Sequence, residues 1–131
     1  ALFMAHYVIS PIGFGGFGIE GISDMRNLAD MTRLVIEKIT EEHQDYPKFL
    51  GAVVNSAVEV SEAKNYVSEI YKQFPEIIFK NVIGYRKGLK NASYHGDAIW
   101  TERYQVIANN EIIQFNLEVL ERAETNEKAL Q

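Results

Sequence analysis

The sequence predicts an α/β domain: a parallel sheet covered by helices. Two observations carry this. The runs FLGAVV at 49–54 and IIFKNVI at 77–83 are nearly continuous in apolar residues, the mark of strands buried on both faces rather than alternating in and out. Between and before them lie segments of helical periodicity, so that strand, helix, strand, helix, strand follow one another, the order of right-handed crossovers in a parallel sheet.

At 131 residues with 47% hydrophobic content, the chain is one globular domain or part of a larger one. No apolar run is long enough to cross a bilayer and no charged start precedes an apolar stretch, so neither membrane span nor secretion signal is expected. The absence of cysteine excludes disulfides and thiolate metal sites. A net charge of −5 disfavours wholesale wrapping of nucleic acid and leaves a local basic patch open.

The opening ALFMAHYVISP is apolar from its first residue, whereas natural termini are usually polar and frayed; the chain is expected to be cut from something longer. Residues 1–5 read as the last turn of a helix and 7–9 as a short buried strand ended by Pro11, which cannot donate to a ladder. The stretch PIGFGGFGIEG then holds five glycines in eleven residues. Glycine permits close backbone approach, so this loop could cradle a phosphate. The lysine and hydroxyl of GxxxxGK[ST] are missing, however, and a tight strand-to-helix connection is the plainer reading.

From 19 to 42, Ile22, Met25, Ala29, Ile36 and Ile39 recur at helical spacing, with Arg26/Asp30 and Arg33/Glu37 four apart on the outer face. Pro47 follows, and His43 between reads as a surface residue. The strand at 49–54 ends at Asn55-Ser56. Ser56 and Glu59 have capping-box spacing ahead of a helix with Val60, Ala63, Val67, Ile70 and Phe74 on one stripe. Asn55, at the carboxyl end of its strand, is either a ligand-binding residue or a helix cap. After Pro75 comes the third strand at 77–83, and a last helix over 105–122 carries Ile112, Ile113, Leu117 and Leu120. Residues 123–131 read as a polar tail. Three strands are few for a sheet covered on both sides, so partners outside this chain are expected.

The chemistry is expected at VIGYRKGLKNASYHGDAI (82–99), because ligands of open α/β sheets sit beyond the carboxyl ends of the strands. Here the charge reverses: between Lys80 and Arg103 five bases face two acids, a balance of +3 in an acidic chain. His95 has no second ligand at metal-binding spacing. Trp100 and Tyr104 read as packing residues for the last helix.

The opening AL..A.YVI.P, the segment.F.IEG and above all VI..R..L..AS..G..I resemble the carboxyl-terminal half of the ParA/Soj partition ATPases, the deviant Walker group that includes MinD, over residues 1–122. Val82, Ile83, Leu89, Ala92, Gly96 and Ile99 meet the family spacing without a gap. The resemblance implies the carboxyl-terminal portion of a P-loop NTPase-like fold. It also implies a cytoplasmic, nucleoid-associated switch that binds ATP and Mg, forms a homodimer, holds nonspecific DNA and is driven to hydrolysis by a ParB-like centromere-binding protein. The phosphate loop and its lysines belong to the other half, so no residue here is assigned a catalytic role, and the chain alone is not expected to hydrolyse ATP. By position, Asn55, Ser56, Gly84 and Tyr85 fall where the family meets the base. The pattern departs there, because Gly84 replaces the family proline, Tyr85 the arginine, and Asn91 a glutamate. Arg86, Lys87, Lys90 and Arg103 are the expected DNA contacts, since cations on phosphates release counterions without reading sequence; a basic rim balancing acidic helices is the alternative. A MinD-like positioning ATPase would end in a basic amphipathic membrane helix, which ERAETNEKALQ does not resemble. A non-catalytic module binding a nucleotide or protein at the strand ends is the reading from another class.

Overall fold

A computed structural model describes residues 2–13, 18–57, 61–84, 87–98 and 106–130. It shows an α/β fold whose described strands form one parallel three-stranded sheet, ordered β1 (Tyr7–Ile12), β2 (Lys48–Ala57), β3 (Ile83–Gly84). The helices are α1 (Gly18–Thr40), α2 (Ser61–Gln73), α3 (Lys87–His95) and α4 (Val106–Leu130), and a short 3-10 turn spans Leu2–Met4.

Because each strand is laid beside its predecessor in the same direction, right-handed crossovers put both connecting helices on one face. The packing agrees. Ile12, Ile22, Ala52, Val54, Ile70 and Ile78 form a buried cluster with Val67, Tyr71 and Phe74, joining the sheet to α1 and α2. On the other face Leu50, Val53 and Phe79 meet Phe115 and Val119 of α4. The central strand is thus buried on both sides, as its apolar run predicts.

One irregularity sets which side chain faces which layer. Val8 pairs with Phe49 but Ile9 with Gly51, so Leu50 is an extra residue in β2. A bulge of this kind resets the side-chain alternation, and it lets Leu50 and Val53, an odd number of residues apart, share the α4 face. Gly51 sits at the bulge with φ 149°, and a Cβ there would come within 2.4 Å of the Ile77 carbonyl oxygen. Only glycine fits.

Several local expectations are corrected. The strand β1 continues through Pro11 to Ile12; as an edge strand it tolerates a residue without an N–H, and Pro11 is exposed. Likewise, β2 runs through Ser56 to Ala57, and Glu59, the other half of the expected capping box, lies outside the described residues. The run at 77–83 forms a ladder only at its end, together with an isolated bridge between Ala52 and Ile78. Beyond the bonds that Ile77 and Phe79 exchange with Ala52, α4 supplies partners: Glu118 accepts hydrogen bonds from the N–H groups of Lys80 and Asn81 at 2.8 and 2.9 Å. Arg122 donates to the carbonyls of Leu50, Ile77 and Ile78 at 3.1, 3.0 and 2.8 Å. The supposed polar tail is helical to Leu130, tied down by Glu127, which accepts hydrogen bonds from the hydroxyls of Tyr7 and Tyr46. Finally, α4 turns the unexpected side inward. Ala108, Phe115, Glu118 and Val119 face the sheet, while Ile113, Leu117 and Leu120 face solvent.

Candidate functional site at the carboxyl ends of the strands

In a parallel sheet all carboxyl ends lie along one edge, and here they are Ile12, Ala57 and Gly84. The register brings the two candidate segments together: Asn55 pairs with Ile83 and Ala57 with Gly84. Asn55 is half-buried. Its carboxamide offers both a donor and an acceptor, the complement of a nucleobase edge. Ser56 follows it in β2 and Gly84 lies in the adjoining strand, but the Gly84 N–H already donates to Glu111 Oε2 of α4 at 3.1 Å. At that position the carbonyl is the group left to face a ligand.

Two residues beyond β3 the chain enters α3, whose first turn contains Lys87 and Lys90 and no acidic residue. Cations there oppose the positive end of the helix macrodipole, which favours acids in the first turn. The lysines therefore do not serve helix stability. The helix closes at Gly96, whose φ of 69° is a left-handed terminating conformation, and Ala92 is buried on its inner side. Tyr85, Arg86 and Arg103 lie outside the described residues, as do the glycine-loop residues 14–17, Glu59, Val60, Trp100 and Tyr104.

Sequence reasoning missed the polar features that hold the 77–81 segment. Glu118 and Arg122 form an i,i+4 pair 3.2 Å apart, and Glu118 is only 8% exposed. Burial works to raise its pKa; the N–H groups of Asn81 and Lys80, the Asn81 carboxamide and the Arg122 guanidinium outweigh it and hold the carboxyl below its ordinary value. These residues line a cleft of about 410 Å³ with Leu50, Ile78 and Lys80. It lies toward the amino end of β2, away from the strand ends, and two of the charged groups in it, Glu118 and Arg122, are engaged with backbone. His43 is a surface residue, as expected, 80% exposed between Glu37 and Asp45. Among the described residues no group of three or more histidine, cysteine or acidic side chains is placed to hold a metal ion. No helix among them is long and apolar enough to cross a membrane.

No protein-family model matches the chain, and no curated protein matches it. The fold and this edge define an α/β unit with a candidate ligand-binding rim.

Proposed function

We propose that this chain is the carboxyl-terminal part of a ParA-like partition ATPase, supplying the base end of a nucleotide site and a nonspecific DNA-binding surface. The observation that carries the reading is the pairing of Asn55 with Ile83 and of Ala57 with Gly84 at the strand ends, shortly before a helix whose first turn has two lysines and no acid. An edge of this kind suits an anionic ligand with a planar, hydrogen-bonding end. Asn55 and Ser56 would meet the base, with Gly84 and Tyr85 closing the opposite side. Arg86, Lys87, Lys90 and Arg103 would neutralise DNA phosphates. In the complete protein, ATP and Mg would be held by a phosphate loop outside this chain. The homodimer, the ParB-like partner and the cytoplasmic, nucleoid-associated location belong to the same proposal.

The test is a salt titration of DNA binding. Binding of the chain to a labelled duplex should weaken as salt rises, and each phosphate contact removed by alanine at Arg86, Lys87 or Lys90 should flatten the log–log slope by about 0.9. An unchanged slope in the triple variant overturns the DNA assignment. ATP turnover by these 131 residues overturns the assignment of the chemistry to another segment.

A further inference from the structure

We propose that the outer face of α4 is a self-association surface, on which a second copy of this chain packs its own α4 in the antiparallel direction. The proposal is independent of the nucleotide reading, because this face points away from the sheet and uses none of the strand-end residues.

The helix is apolar on two opposite sides. One side, with Phe115 and Val119, is spent on the sheet. On the other, Ile113, Leu117 and Leu120 are 45%, 54% and 62% exposed. With Asn110 before them and Glu124 after, they form a line with alternating spacings of three and four, the 3.5-residue period of helices that pair along a seam. A solvated helix has no need of such a line; a helix apolar on both sides is one covered on both sides.

Charge selects the occupant and its direction. The first half of α4 contains one acid, Glu111, which is turned to the Gly84 N–H, and no base. The second half exposes Glu121, Glu124 and Lys128, with Glu127 held by Tyr7 and Tyr46, a net negative end. Parallel pairing would lay acidic half against acidic half, which repels. Antiparallel pairing lays each acidic half beside the neutral half of its partner, near the positive end of that helix dipole. With Leu117 at the two-fold axis, Ile113 of one copy lies toward Leu120 of the other. Asn110 then falls opposite Glu124, where the carboxamide N–H can donate to the carboxylate. Two such pairs bracket the apolar centre. The seam is short, so the association is weak and concentration-dependent, in the range of small transient interfaces.

The cysteine-free sequence makes the test direct. Sedimentation equilibrium of the chain, carried up to about 1 mM where a weak complex of this size still populates, should show the average mass rising toward the dimer. Leu117→Glu should weaken the dissociation constant at least tenfold with an unchanged circular dichroism spectrum. Leu34→Glu, the same change at an exposed position of α1, should leave it unaltered. Under an added oxidant, Leu117→Cys should cross-link rapidly between copies. Asn110→Cys/Glu124→Cys should also cross-link, and Glu124→Cys alone should not. A chain that stays monomeric throughout, a dissociation constant indifferent to Leu117→Glu, or equal loss with Leu34→Glu overturns the surface. Efficient cross-linking of Glu124→Cys alone overturns the antiparallel direction.

Discussion

The guanidinium carbon of Arg122 lies over the ring of Phe79, 4.0 Å from its centroid. From there the two terminal nitrogens reach three backbone carbonyls on two segments, while Glu118 holds the N–H groups of Lys80 and Asn81. An arginine and a glutamate thus supplement the single bridge through which residues 77–81 pair with β2. Arginine suits this place because it stacks on a ring and donates in a planar fork, which lysine cannot do.

Removing that guanidinium takes one donor from each of three carbonyls and the charge partner from the buried Glu118 carboxylate. Arg122→Met is expected to destabilise the fold by about 3 kcal/mol or more, as for other broken buried pairs. Arg122→Lys should recover only a small part. Urea unfolding followed by tryptophan fluorescence reports both, as a shift in midpoint at constant slope.

Acid should find Glu118. Its folded pKa is depressed, so its contribution to stability is complete above the ordinary carboxylate value and is lost as pH falls from there through the depressed one. Glu118→Gln should therefore be less stable at neutral pH and show a flatter decline in acid. Unfolding midpoints measured from pH 7 downward check the sign; a parallel decline in both proteins would refute the assignment.

Alkali should find the other anchor of α4. Burial first, and then the hydrogen bond to Glu127, push the Tyr7 hydroxyl pKa up, and the same carboxylate raises that of Tyr46. For groups raised on folding, the stabilisation is present below the unfolded value of about 10 and lost as pH rises above it. Tyr7→Phe should shrink that alkaline loss, measured by thermal unfolding between pH 8 and 11.

Two glycines give a graded comparison. Gly51→Ala places a Cβ 2.4 Å from the Ile77 oxygen and 2.5 Å from Arg122 Nη1, and neither neighbour can move without breaking the Arg122 contacts. A loss of about 3 kcal/mol or more is expected from backbone strain and overpacking together. Gly96→Ala meets no atom within 4 Å and bears only the left-handed backbone, about 1 kcal/mol. Denaturant midpoints that rank the two the other way would remove the bulge from its central place.

What was readable in the sequence was what depended on apolar periodicity. The run at 49–54 announced a doubly buried strand because both its neighbouring layers demand apolar contacts, and Ile22, Ala29 and Ile70 marked their inward faces. The inward side of α4 was hidden because two of the residues that bind it to the sheet, Glu118 and Arg122, are charged, and their partners are backbone atoms far away in sequence. The adjacency of the two strand ends was readable in order, since Asn55 pairs with Ile83 and Ala57 with Gly84. That Glu111 would occupy the Gly84 N–H was not, because nothing local to either residue signals a hydrogen bond across 27 positions.

The placement of α4 also bears on how the molecule is made. Strands β1 to β3 and the helices between them lie earlier in the chain, yet one whole side of the sheet, and the backbone of 77–81, wait for residues 106–130. A nascent chain would leave the ribosome with that side bare and its Leu50, Val53 and Phe79 open to other chains, the condition in which unfinished domains clump. Maturation therefore closes from the last helix backward, and a product released early would be expected in inclusion bodies rather than in solution.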